Sequence, residues 1–215
     1  MYMDLLQSIR KYAGQPITHQ LLTSLLKDYN RPNDKIHSLI KEGYLLAIKR
    51  GIYISGQKLP DLSRPEPFLL AIHLFGPSYV SLDAALSYHG LIPERVYEIT
   101  SVTTKLPRSF STPVGLFSYV HLGLPYYAFG FQHVQLSDDQ FAMIASPEKS
   151  LCDKIVTSTG INLRSIKAAQ NYLIENLRID EDRLKAMDII KMTSWLDDAP
   201  KKESLRNMIK MIKTL

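Results

Sequence analysis

Thiols are nearly absent from this chain. Its one cysteine, Cys152, excludes an internal disulfide and any metal cluster built from several thiolates. No apolar run approaches the roughly 18–20 residues that crossing a bilayer requires. The start, Met1-Tyr-Met-Asp-Leu-Leu-Gln-Ser8, has no basic segment leading into an apolar stretch. Neither a signal peptide nor a membrane partner is therefore expected, and the expected compartment is the cytoplasm. The six histidines show no H-E-x-x-H or H-x-x-x-H type spacing. The glycine-rich phosphate loop, the dinucleotide fingerprint and the G-x-S-x-G elbow are all missing. A nuclease would need an Asp and a Glu-x-Lys on neighbouring strands, but Glu148 and Lys149 are adjacent and open an expected helix. Cys152, flanked by Leu151 and Ile155, reads as core, and the pairs Asp138-Asp139 and Asp197-Asp198 fall in turns. No catalytic residue, metal or cofactor is expected.

What remains is ordinary globular material. Of the 215 residues, 45% are hydrophobic and 22% charged, enough for one large or two small cores. The net charge of +5 is modest, but it is unevenly placed. Residues 1–60 carry nine basic and four acidic side chains, residues 61–200 carry 12 and 16, and residues 201–215 carry five and one. Positive charge gathered at the two ends of the chain favours a polyanionic partner.

The first sixty residues have an ordered pattern. Leu5, Leu6, Ile9 and Tyr12 fall at helical spacing, and Gly14 stops that helix. Thr18 is placed to cap a second helix striped by Leu21, Leu22, Leu25 and Leu26. A third runs over residues 33–42, with Ile36, Leu39 and Ile40 on one face and Gly43 just past its end. Its other side carries Asp34, Ser38 and Lys41, flanked by Lys35 and His37. The period then changes to two β-rich runs, Tyr44–Ile48 and Ile52–Ile54, joined by Lys49-Arg50-Gly51. Three helices and a basic-tipped hairpin are the plan of a winged helix-turn-helix, which sets its third helix in the major groove of DNA and its wing on phosphate or the minor groove. Lys35, His37, Ser38 and Lys41 are the expected groove-facing residues, and Lys49 and Arg50 the expected phosphate contacts. An adaptor whose winged helix binds protein instead is the alternative.

Residues 55–66, with two prolines and little periodicity, read as a linker, dividing the chain into domains at 1–58 and 59–215. The second part reads as a mixed α/β module. A helix is expected over residues 67–75 and another capped by Ser81 and ended by Gly90. Strand-like runs follow at 97–104, 115–122, 127–136 and 141–145, forming a small antiparallel sheet. A helix with Ser146 as cap and Pro147 in its first turn comes next. Two readings of the polar residues stand. Ser146, Pro147, Glu148, Lys149 and Asp153 form a cap and ion-pair cluster that holds the helix on the sheet, or Tyr79, Ser81, Asp83 and His89 line a polar pocket. From about residue 160 the chain reads as all-helical, with stripes at Ile166/Ala169/Leu173/Leu177, Leu184/Met187/Ile190/Trp195 and Leu205/Met208/Ile209/Ile212. On the last helix Arg206, Lys210 and Lys213 form a basic edge, either a solvated rim or a second contact with nucleic acid or a partner. The fold class expected is α+β.

Three segments carry a resemblance: Arg50-Gly51-Ile52-Tyr53 closing the helical segment, Tyr79-Val-Ser-Leu-Asp-Ala-Ala-Leu-Ser-Tyr-His-Gly-Leu91, and Ala145-Ser-Pro-Glu-Lys-Ser-Leu-Cys-Asp153. In this order and spacing, over roughly the first 160 residues, the chain resembles the AbiEi family of antitoxins and transcriptional regulators of bacterial type IV toxin–antitoxin systems. The resemblance implies a DNA-binding repressor of its own operon, with double-stranded operator DNA as partner. It also implies an antitoxin that counteracts a nucleotidyltransferase-type toxin.

Overall fold

The computed structural model describes residues 2–59, 64–137 and 139–215. The expected linker lies partly outside them, at 60–63, as does Asp138. The described residues form a mixed α+β protein of ten helices and nine strands with short 3₁₀ and π-helical pieces.

The N-terminal part runs α1 (Tyr2–Lys11), β1 (Ile17–Thr18), α2 (His19–Leu25), α3 (Pro32–Lys41), β2 (Leu45–Lys49) and β3 (Ile52–Ser55). Thr18 caps α2 as its position implies, accepting the Leu21 amide at 3.1 Å. Gly43 ends the turn after α3 at φ +81° and Gly51 makes the hairpin turn at φ +84°, a region that glycine enters without steric cost. The sequence pattern misses β1, two residues long, which pairs with β3 to give an antiparallel sheet in the order β1-β3-β2. Leu5, Ile9, Leu22, Leu26, Ile36, Leu39 and Leu45 close one core between the helices and one face of that sheet.

The other face of the hairpin is buried as well. Ile48 and Ile54, with Leu46 and Ile52 partly buried beside them, belong to the core of the following module. This is why Tyr44–Ile48 lacks the polar alternation of a half-solvated strand. The second core therefore reaches across residue 59 into the first sixty residues.

That module begins with α4 (Pro67–Leu74), β4 (Ser78–Val80) and α5 (Leu82–Tyr88). It continues through β5 (Glu98–Thr103), β6 (Arg108–Thr112), β7 (Gly115–His121), β8 (Phe131–Ser137), β9 (Gln140–Ala145) and α6 (Pro147–Thr157). Its six strands are ordered β6-β7-β5-β4-β9-β8, with β5–β7 and β4–β9 parallel. The expectation of a small antiparallel sheet is corrected here. The stretch between the expected runs 97–104 and 115–122 holds a strand of its own, β6, which pairs with β7 and turns it parallel to β5. A Gln140 side chain, buried in the sheet, ties down the segment entering α4. Its Oε1 accepts the Glu66 amide at 2.6 Å and its Nε2 donates to the Arg64 carbonyl at 3.0 Å.

The C-terminal residues are helical as their stripes imply: α7 (Ile166–Gln170) continuing into a π-helical turn, α8 (Glu181–Lys185), α9 (Ile189–Ser194) and α10 (Lys202–Ile212). Ile190 is a correction, being 84% exposed, while Ile189 is packed against the core in its place. Lys201 fixes the start of α10, its Nζ donating to the carbonyls of Ile155, Ser158 and Ile161 at 3.1, 2.6 and 3.0 Å around the end of α6. Among the described residues no helix is long and apolar enough to cross a membrane.

Candidate nucleic-acid interface

Helix α3 buries Ile36 and Leu39 and turns the opposite side outward. Asn33, His37 and Lys41 are all exposed and recur at i, i+4 and i+8, which at about 100° per residue is one row along the helix. Ser38 and Lys35 lie on one flank of that row, progressively further round the helix, and are half-buried. The Ser38 hydroxyl donates to the Glu42 carboxylate, so it is engaged within its own helix.

Across from this row stands the hairpin. His19, Asn33, Ile36 and His37 face Arg50, Gly51 and Tyr53 over a cleft of about 440 Å³. Arg50 is exposed, and no carboxylate is paired with it among the described residues. Asn33 and His19 were not singled out from the sequence. The first carried a signal, lying one turn before His37. The second reaches the cleft only because Thr18 caps α2 beside the hairpin, where its ring lies 6.4 Å from that of Tyr53.

Lys49 departs from expectation. Its ammonium donates to the Leu74 carbonyl at the end of α4 and sits 5.3 Å from the centroid of Phe110. Burial, and then the charges of Arg108 and Lys105, hold its pKa below the usual lysine range. A β-bulge between Ala47 and Lys49 explains the split: it sets Lys49 opposite Ile52, on the side facing the second core, where simple alternation would have put it on the side of Leu45, whereas Arg50 occupies the turn. Of the expected pair of phosphate contacts, Arg50 is exposed at the turn and Lys49 is half-buried against the second module.

The basic edge of α10 is the outer rim of a packed helix whose Leu205, Met208, Ile209, Met211 and Ile212 are buried. Arg206 is ion-paired with Glu203, while Lys210 and Lys213 are exposed.

The second polar constellation is internal. Lys149 and Asp153, both fully buried, face each other at 3.0 Å one turn apart on α6. Tyr79 and Ser81 donate to Asp153 Oδ2 at 2.9 and 2.8 Å, and Lys149 Nζ donates to the Tyr126 carbonyl at 2.9 Å. Burial pushes the Asp153 carboxyl up and the Lys149 ammonium down from their ordinary values, each opposed by the other's charge. Ser146 caps α6 as its position implies, accepting the Lys149 amide at 3.2 Å. The four residues of the pocket reading are each engaged with a partner of their own. Tyr79 and Ser81 serve Asp153, Asp83 pairs with Lys154 at 2.7 Å, and His89 Nε2 lies 2.8 Å from the Ala145 carbonyl. Ser81 consequently makes no side-chain cap for α5. No group of three or more metal-ligating side chains occurs among the described residues.

No protein-family model matches the chain, and no curated protein matches it by sequence. Among solved structures, the crystal structure of the RV2827C protein from Mycobacterium tuberculosis matches with a TM-score of 0.62 at 13% identity, over 98% of this chain and 75% of that one. At that identity the likeness is one of fold.

Proposed function

We propose that this protein is a DNA-binding transcriptional regulator, with residues 1–58 acting as a winged helix and α3 as its reading helix. One observation carries the reading. Asn33 and His37 of the exposed row face Arg50, which has no carboxylate partner among the described residues, over one cleft, and Lys41 continues the row one turn beyond it on a helix seated on the first core. A helix whose buried face is apolar presents its short polar side chains to a groove, and an exposed arginine at a hairpin turn is suited to phosphate. The helix–strand order and the β1-β3-β2 sheet fit this plan. The resemblance to AbiEi proteins extends the proposal to repression of its own operon and to an antitoxin role against a nucleotidyltransferase-type toxin, carried by residues 59–215.

The test is equilibrium binding of fluorescent duplexes covering the DNA upstream of the protein's own reading frame, followed by anisotropy across a salt series. Lys41→Ala with Arg50→Ala is expected to weaken binding to every duplex and to lower the salt slope by roughly two, at ~0.9 per phosphate contact. Wild-type protein that binds none of these duplexes even at low salt would instead support the protein-adaptor alternative.

A further inference from the structure

Beside the hairpin, a second group of cations is held together by the fold. Lys49 and Lys105 donate to the carbonyls of Leu74, the last residue of α4, and Gly76, two residues beyond it. Lys105 lies 5.2 Å from the Phe75 centroid, and Arg108 lies 5.9 and 5.1 Å from those of Phe75 and Phe110. Three positive groups thus share two aromatic rings, and among the described residues none of them is paired with a carboxylate. Ring faces and carbonyl dipoles offset part of the repulsion within the group. The remaining field points outward from two exposed side chains, Lys105 and Arg108.

Between those two lie Leu106 and Pro107. Leu106 is 84% exposed, a placement the core does not require. The connection is nonetheless firmly seated. The buried Thr103 hydroxyl donates to the Pro77 carbonyl at 2.8 Å and accepts the Lys105 amide at 3.2 Å. His121 Nδ1 lies 3.1 Å from the Lys105 carbonyl oxygen. A stiff turn that shows a leucine and a proline between two cations has the chemistry of a wedge for a base step, with the cations placed for the flanking phosphates. Its nearness to the hairpin is fixed through Lys49, which is bonded to Leu74 at the end of α4 and adjoins Arg50.

We propose that the Lys105–Arg108 connection is a second DNA-contacting element. Lys105 and Arg108 engage phosphates across a minor groove, and Leu106 with Pro107 enters a base step and partly unstacks it. The inference rests on the DNA-binding reading above and names a separate contact. Lys105 has protons to spare beyond the one given to Gly76, since an ammonium carries three donors.

The experiment uses the full chain and duplexes of about 40 base pairs, long enough for about four helical turns, from the DNA upstream of its own reading frame. Each carries 2-aminopurine at a TA step, the easily unstacked kind. Binding is expected to raise 2-aminopurine fluorescence. Lys105→Gln with Arg108→Gln is expected to lower the salt slope by roughly two, at ~0.9 per phosphate. Leu106→Ser, at an exposed position, is expected to leave folding and the slope intact and to remove the fluorescence rise. An unchanged slope in the double variant overturns the phosphate contacts, and an unchanged fluorescence rise in Leu106→Ser overturns the wedge. If Lys41→Ala with Arg50→Ala weakens binding while these variants do not, this inference fails and the regulator reading stands. If the wild type binds no duplex, both fail. Loss of binding to phosphatidylserine vesicles in Leu106→Ser, with DNA binding untouched, assigns the turn to a lipid surface and overturns the proposal.

Discussion

The residue whose environment is most demanding is Lys149, an ammonium with no solvent exposure whose partners come from its own helix and from the segment before β8. Removing one member of a buried ion pair leaves the other charge uncompensated, at a cost of about 3–5 kcal/mol. Lys149→Met and Asp153→Asn are each expected to lose that much in urea unfolding, while Tyr79→Phe, which removes one bond to a charged acceptor, should lose about 1.5–3 kcal/mol. Cys152 sits in the same interior, and burial raises its thiol pKa well above the ordinary range. Folded protein at pH 9 should therefore resist iodoacetamide, with labelling by mass spectrometry appearing only under denaturing conditions. The sequence showed half of this site. Ser146, Lys149 and Asp153 could be grouped because they lie within two turns of one helix. Tyr79 and Ser81 lie more than seventy positions away, and only the pairing of β4 with β9 brings them onto Asp153.

Among the elements, the β2–β3 hairpin tests the account best because its two tip cations have parted. Arg50→Ala should lower the DNA salt slope by ~0.9 and leave the unfolding midpoint unchanged. Lys49→Ala should do the reverse, loosening the contact between the hairpin and α4 and lowering the midpoint in thermal melts. Gly51→Ala, at φ +84°, should cost about 1 kcal/mol from backbone strain alone. The hairpin, its glycine turn and α3 were all legible as local patterns. The direction in which Lys49 points was not, because it depends on Leu74 and Phe110 from another part of the chain. Strand β6 escaped for a related reason. Only Phe110 and Thr112 of its five residues are turned inward, so its apolar signal is weak, and its pairing with β7 is what defines it.

At the scale of the whole molecule, two cores share one hairpin, which places the cationic loop of the second module beside the cleft of the first. The excess of positive charge near the chain's start is thereby joined in space by Lys105 and Arg108 from a stretch of net negative charge, a convergence that counting along the sequence averages away. Charge at the chain's end takes a different course, spread on the rim of α10 with Arg206 neutralised by Glu203. A duplex bound as proposed rests against α3 and the hairpin turn. Amide hydrogen exchange of the full chain, with and without saturating upstream duplex, tests it most directly. Slowed exchange is expected over residues 31–41 and at the 49–52 turn, with α10 unchanged. Protection confined to α10, or spread elsewhere while α3 and the hairpin exchange as in the free protein, would contradict it.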